Sequence, residues 1–130
     1  MKKLFAAFII CIMLLCCAGC FEKHEEFPSA NGGKITMTGH KDAVVVEIDS
    51  LSMRPTFELG DKVLVQKTDI SEIEEGDVIA FVHEDRTYVH RVFIKGKDSN
   101  GRVYFRTAGD MSVKGDDFPV YEDMLIGKVL

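Results

Sequence analysis

Ser52 stands in the stretch Ser50-Leu51-Ser52-Met53-Arg54-Pro55-Thr56, directly after the β-branched run Ala43-Val44-Val45-Val46-Glu47-Ile48. Such a run reads as a strand. Pro55 fixes φ and donates no hydrogen bond, so the chain must leave the sheet there. A serine at that exit presents its hydroxyl and its own backbone N–H to one substrate carbonyl. Serine is a poor nucleophile unaided and requires a base within hydrogen-bond reach.

His90, in Tyr88-Val89-His90-Arg91-Val92, is the candidate base, because neutral imidazole titrates near working pH and suits proton abstraction from a hydroxyl. On a strand over 87–94, Tyr88, His90, Val92 and Ile94 share one face and Val89, Arg91 and Phe93 the other. A histidine in an apolar row also fits a plain core position. Two carboxylates, Asp110 and Asp116, follow in Thr107-Ala108-Gly109-Asp110-Met111-Ser112-Val113-Lys114-Gly115-Asp116-Asp117. They read either as parts of a solvated turn or as groups that orient an imidazole and stabilise its charged form.

The elements that must position these groups are almost all strands, expected over 43–48, 62–66, 77–82, 87–94, 102–107 and 124–129. In the first, Val44, Val46 and Ile48 share a face. A local echo links Glu58-Leu59-Gly60-Asp61-Lys62-Val63-Leu64-Val65 to Glu74-Glu75-Gly76-Asp77-Val78-Ile79-Ala80-Phe81. Each is a Gly-Asp turn feeding a strand, since glycine tolerates positive φ and aspartate bonds nearby backbone. The stretch 96–101, ending in Asn100-Gly101, reads as a hairpin loop. No amphipathic helix is expected after the N-terminal segment, so the fold class is mainly β.

The chain has 130 residues, the size of one domain. It divides into 1–20, 21–42 and 43–130. Lys2 and Lys3, an apolar run from Leu4 to Cys17 and small Ala18-Gly19 have the layout of a secretory signal or short membrane anchor. The four cysteines, Cys11, Cys16, Cys17 and Cys20, all lie in that segment, which leaves a disulfide framework out of the folded part. Residues 21–42 are read as a tether, with low apolar content and Gly32-Gly33 in its first part. The net charge is −5, and an acidic domain without a basic patch excludes nucleic acid as an expected partner. His24, His40, His83 and His90 show no zinc-ligand spacing, so neither a metal nor a cofactor is expected.

The boxes around Ser52 and His90 resemble the signal peptidase I family in order and combination. Ser50-x-Ser52-Met53-x-Pro55-Thr56 resembles the box around that family's nucleophile. Gly60-Asp61 and Gly76-Asp77-Val78-Ile79-Ala80-Phe81 resemble the segments that follow. Tyr88-Val89-His90-Arg91-Val92 is similar to the base-bearing box, with histidine in place of lysine as in the endoplasmic-reticulum type. Thr107-x-Gly109-Asp110 and Asp116-x-x-Pro119-Val120, ending in Ile126-Gly127-Lys128-Val129, resemble the closing box. Cys17-Ala18-Gly19-Cys20 resembles the bacterial lipobox, whose cysteine is lipidated.

The resemblance implies a coiled β-sheet domain of the kind shared with SOS-repressor peptidases. It makes Ser52 the nucleophile and His90 the general base, with Asp110 and Asp116 assisting and Asp117 a rival for the second place. The N–H of Ser52, helped by the Ser50 hydroxyl, would form the oxyanion hole, and Met53 would line the pocket for small side chains. The implied protein is a serine endopeptidase acting on signal peptides of preproteins. It would be held on the extracytoplasmic face of a bacterial cytoplasmic membrane by a lipid on Cys20 or by a retained N-terminal anchor. A catalytically inactive lipoprotein binding module is the alternative, favoured by Ala108 and Met111, which depart from the closing box. Self-cleavage of the chain is a further reading, opposed by the export segment.

Overall fold

A computed structural model describes residues 35–37 and 42–130. The N-terminal segment with Cys20, and most of the stretch read as tether, lie outside the described residues. Seven strands form one antiparallel sheet. They are β1 (Ile35–Met37), β2 (Ala43–Glu47), β3 (Lys62–Gln66), β4 (Val78–His83), β5 (Arg86–Lys97), β6 (Val103–Ala108) and β7 (Leu125–Val129). Their order across the sheet is β1-β2-β3-β7-β4-β5-β6. Two single-turn 3₁₀ segments, Ile70–Glu72 and Glu122–Met124, are the helical elements among the described residues.

Five of the strands fall within a residue or so of the expected bounds, and the mainly β class holds. Two differences have clear causes. Ile35–Met37, within the stretch read as tether, pairs with Val44–Val46 as an edge strand; three residues carry too little pattern to mark a strand. β5 runs on to Lys97, so the loop expected over 96–101 begins later and is closed by Asp98, whose carbonyl accepts from Gly101 N–H and whose carboxylate accepts from Asn100 and Arg102 N–H.

β4 divides two hydrophobic cores. Val78 and Ala80 pack with Val46, Ile48, Met53, Val63, Val65 and Val89. Ile79 and Phe81 pack with Ile73, Val92, Phe105 and Val120. A strand buried on both faces reads as an unbroken apolar run, which is why 78–81 shows no alternation with polar residues. The two buried faces also explain how the sheet brings distant strands together. β2 and β5 are not neighbours in the sheet order, and β3 meets β7 through only two residue pairs, Val65 with Val129 and Gln66 with Lys128. Around the core that β4 shares with β2 and β3, the sheet curls until the segment after β2 faces β5.

The sequence echo has a structural counterpart. In each copy an aspartate side chain accepts from a backbone N–H three residues back, Glu58 to Asp61 at 2.8 Å and Glu74 to Asp77 at 2.9 Å. Gly60 and Gly76 take φ of 87° and 97°, the left-handed backbone glycine adopts without a Cβ penalty. Each turn then exchanges two hydrogen bonds with one residue of another strand segment. Gly60 N–H and Asp61 C=O bond Ile48, and Gly76 N–H and Asp77 C=O bond Val92. Ile48 lies just before Ser52 and Val92 just after His90, so the repeated turns brace the two chains on which the candidate nucleophile and base are carried.

Candidate active site

Ser52 follows β2 in a loop that turns immediately. Arg54 N–H donates to Leu51 C=O and Phe57 N–H to Met53 C=O. Met53 is buried at 1% exposure in the first core, which anchors the loop and leaves Ser52 half-buried beside it. His90 lies in β5 opposite Ile79 of β4. It is 7% exposed and packs edge-on to Phe81 and Tyr88, with ring centroids 6.3 and 5.6 Å away. Asp116 follows β6 at the far end of a loop and is tied back to it, its N–H donating to Thr107 C=O at 2.8 Å.

The three side chains form one line. Ser52 Oγ lies 3.1 Å from His90 Nε2, and His90 Nδ1 lies 2.7 Å from Asp116 Oδ2. Asp116 Oδ2 also accepts from the Thr107 hydroxyl at 2.6 Å. Burial pushes the Asp116 carboxyl up, but the hydrogen bonds from His90 and Thr107 outweigh it, and the group sits below the usual carboxylate range. An ionised carboxylate only accepts. Nδ1 therefore carries the proton in the neutral ring, and Nε2 is left with a lone pair aimed at the serine hydroxyl. That tautomer is the one a base for Ser52 requires.

Ser50 Oγ lies 3.0 Å from Ser52 Oγ on the exposed side. A cleft of about 320 Å³ opens beside the line, between the end of β2 and the start of β5. Val46, Ile48, Met53 and Val89 give it apolar walls, and Ser50, Ser52 and His90 line it as well. The assembly has the parts for acyl transfer: a hydroxyl, a base at its oxygen, a carboxylate behind the base, and an adjoining apolar cleft.

The expected residues do not all converge. Asp110, grouped with Asp116 as a helper of His90, bonds elsewhere. Its carboxylate takes a bidentate pair of bonds from Arg91, at 2.8 and 2.7 Å, and another from the Thr56 hydroxyl. The Arg91 hydrogen bonds are the main reason its carboxyl lies below the usual range, and the same pairing holds the Arg91 guanidinium above its own. Strand alternation is the cause: Arg91 follows His90 directly and so leaves β5 on the other face. Asp117, the rival, forms an ion pair with Lys114 at 2.7 Å on the surface.

Three contributions were not visible in the sequence reading. Thr107 holds Asp116, although the residue stands in a quoted box without a role. Arg91 and Thr56 join the β5 strand, the closing loop and the serine loop through Asp110. Gly109 presses against the Ser52 loop: a Cβ there would lie 2.5 Å from Ser52 O and 2.9 Å from Ser52 Cβ, while Met111 N–H donates to Ser52 C=O at 2.8 Å. The Gly-Asp pair was the available signal, but it marks a turn without saying what the turn touches.

Comparison with known proteins gives the same direction. The Peptidase S24-like family matches residues 18–126. Signal peptidase I W of Bacillus subtilis (strain 168) is 30% identical over 95 residues, covering 72% of this chain and 48% of that protein. The signal peptidase complex catalytic subunit SEC11C of Homo sapiens and that of Mus musculus are each 32% identical over 93 residues, covering 70% of this chain and 47% of theirs. The chain thus spans about half the length of the curated relatives it matches. With the matched region running through the sheet and all three residues of the Ser52–His90–Asp116 line, the chain belongs to the Peptidase S24-like family and is a relative of the type I signal peptidases.

Proposed function

We propose that this protein is a serine endopeptidase of the signal peptidase I type, cutting preproteins after small residues. The observation that carries the reading is the unbroken line from Ser52 Oγ through His90 to Asp116, beside an apolar cleft. The relatives' names support the same substrate class. The intact line also speaks against the inactive binding module.

In this mechanism Ser52 Oγ attacks the carbonyl carbon of the scissile bond while its proton passes to His90 Nε2. Asp116 stabilises the imidazolium so formed. The negative oxygen of the tetrahedral intermediate takes hydrogen bonds from the Ser52 N–H and the Ser50 hydroxyl. When the C–N bond breaks, His90 returns the proton to the leaving amine, and an ester to Ser52 remains. Water attacks that ester with His90 again as base, and Ser52 is regenerated with its proton. Met53, with Val46, Ile48 and Val89, gives the wall against which a small side chain packs.

We place the domain at the extracytoplasmic face of a bacterial cytoplasmic membrane, tethered through Cys20 or a retained N-terminal anchor. Among the described residues no helix is long and apolar enough to cross a membrane. Tethering raises the effective concentration of substrates that are themselves held in the bilayer.

The test is cleavage, in detergent, of a preprotein carrying an Ala-x-Ala site by the wild type, Ser52→Ala and His90→Ala. Cleavage by the wild type alone is the expected result. Folded wild type that leaves the site intact overturns the reading.

A further inference from the structure

Among the described residues two polar side chains are buried, His90 at 7% and Thr107 at 0% exposure. The mechanism uses the first and leaves the second without a task. Burying a hydroxyl is costly unless it is bonded. Thr107 spends its bond on a carboxylate, donating to Asp116 Oδ2 at 2.6 Å, the same oxygen that lies 2.7 Å from His90 Nδ1. Its backbone is committed to the same residue, through Asp116 N–H to Thr107 C=O at 2.8 Å. Thr107 thus closes the loop at its base and also grips its last side chain.

The sheet register explains why this position serves. Thr107 of β6 lies opposite Val92 of β5, and Val92 shares a face with His90. Thr107 and His90 are therefore diagonal neighbours on one face, and Asp116 reaches into the space between them. The outer torsion of an aspartate is broad, with no staggered well to fix the carboxylate plane. A single bond from His90 leaves that plane free to swing. A second, charge-assisted donor on the same oxygen stops the swing.

We propose that Thr107 is a positioning residue for the reaction: by holding Asp116 Oδ2 it sets the carboxylate so that His90 keeps its proton on Nδ1 and presents Nε2 to Ser52. The kinetic part of this inference rests on the peptidase reading; the geometric part does not.

The test compares Thr107→Val, which removes the hydroxyl at similar size, with Thr107→Ser, which restores it. Each is measured by thermal unfolding, by kcat and KM on an Ala-x-Ala preprotein, and by the proton NMR signal of the hydrogen-bonded His90 Nδ1–H. That signal is assigned by its loss in His90→Gln. Folded Thr107→Val is expected to lose kcat about tenfold, a part of the 10²–10⁴ that a positioned base supplies. Its KM stays unchanged, and its Nδ1–H signal moves upfield or broadens. Thr107→Ser recovers both, and in an Asp116→Asn background Thr107→Val costs no further kcat. A folded Thr107→Val with wild-type kcat and an unmoved signal overturns the proposal, as does an equal further loss in the Asp116→Asn background. Should Thr107→Val fail to fold, Thr107→Ala carries the same expectations. If the wild type cleaves no preprotein, the peptidase reading fails, while the Nδ1–H signal still decides the role of Thr107.

Discussion

Asp110 and Asp116 leave one loop and bond consecutive residues of one strand, Asp110 to Arg91 and Asp116 to His90. Because consecutive strand residues face opposite ways, the two carboxylates work on opposite sides of β5. Their neutral variants are expected to separate accordingly. Asp116→Asn removes the charge behind the imidazole and should lower kcat by about 10³–10⁴, with some loss of stability besides, since folding favours the ionised carboxylate. Asp110→Asn breaks a pair whose arginine is 38% exposed. Solvent screening holds that loss to about 1 kcal/mol, while most of kcat survives. Steady-state cleavage and urea unfolding on both variants check this, and a reversed pattern sinks the assignment.

The same two groups give the domain an acid-sensitive stability. Both carboxyls sit below their ordinary value, Asp110 chiefly through the Arg91 hydrogen bonds, Asp116 through bonds from His90 and Thr107 that outweigh its burial. Unfolded, each returns to about 3.9. Between the folded and unfolded values the unfolded chain holds more protons, so stability falls as pH falls. Their contribution is complete above about pH 5 and is lost progressively as the pH drops through the folded values. Urea midpoints taken from about pH 6 down to pH 3 should fall for the wild type and fall less steeply for Asp110→Asn. Parallel curves count against the linkage.

Gly109 and Gly115 stand in the same loop with different neighbours. A Cβ on Gly109 meets the backbone and Cβ of Ser52, whereas one on Gly115 meets the tip of the Phe93 ring, which is 44% exposed and free to give way. Gly109→Ala therefore displaces Ser52, and on the peptidase reading a misplacement of order 1 Å costs about 10²-fold. Beyond the Phe93 ring a Cβ on Gly115 meets the Thr107 carbonyl oxygen at 3.4 Å, an ordinary contact, so Gly115→Ala should keep kcat within about twofold. Rates for the two alanine variants, with unfolding as a check on the fold, decide the matter; equal losses in both would show that Gly109 has no special contact with Ser52.

Much of this is legible in the sequence itself. β-Branched runs mark β2, β3 and β5, and the repeated Gly-Asp pairs mark turns whose aspartate bonding is the same in both copies. Ser52 and His90 stood out because a nucleophile and a base belong to different, recognisable local settings. The partner of each carboxylate did not stand out. It depends on register, here Thr107 opposite Val92 and Ala108 opposite Arg91, and register is a property of two strands rather than of one segment. The break in pairing between Val92 and Ile94 is equally hidden, and beyond it Ile94, expected on one face with the buried Val92, is 43% exposed.

The hairpin joining β4 to β5 offers a gain in stability. His83 pairs with Arg86, which leaves Glu84 and Asp85 as a two-residue loop with φ of 48° and 60°. Such loops favour Asn-Gly, since both positions need positive φ. Left-handed backbone costs an ordinary L-residue roughly 1–2 kcal/mol, and glycine returns part of that as extra freedom in the unfolded chain. The side chains lost contribute little: Glu84 is 84% exposed and lies 3.9 Å from His83. The double variant E84N/D85G is expected to raise unfolding free energy by about 0.5–1 kcal/mol. Arg86 and Thr87 line the cleft directly after this turn, so kcat and KM on the preprotein form the second readout. Unchanged kinetics with a higher urea midpoint make the turn a purely structural join. A higher midpoint with a raised KM means that the strained pair holds the start of β5 where substrate needs it.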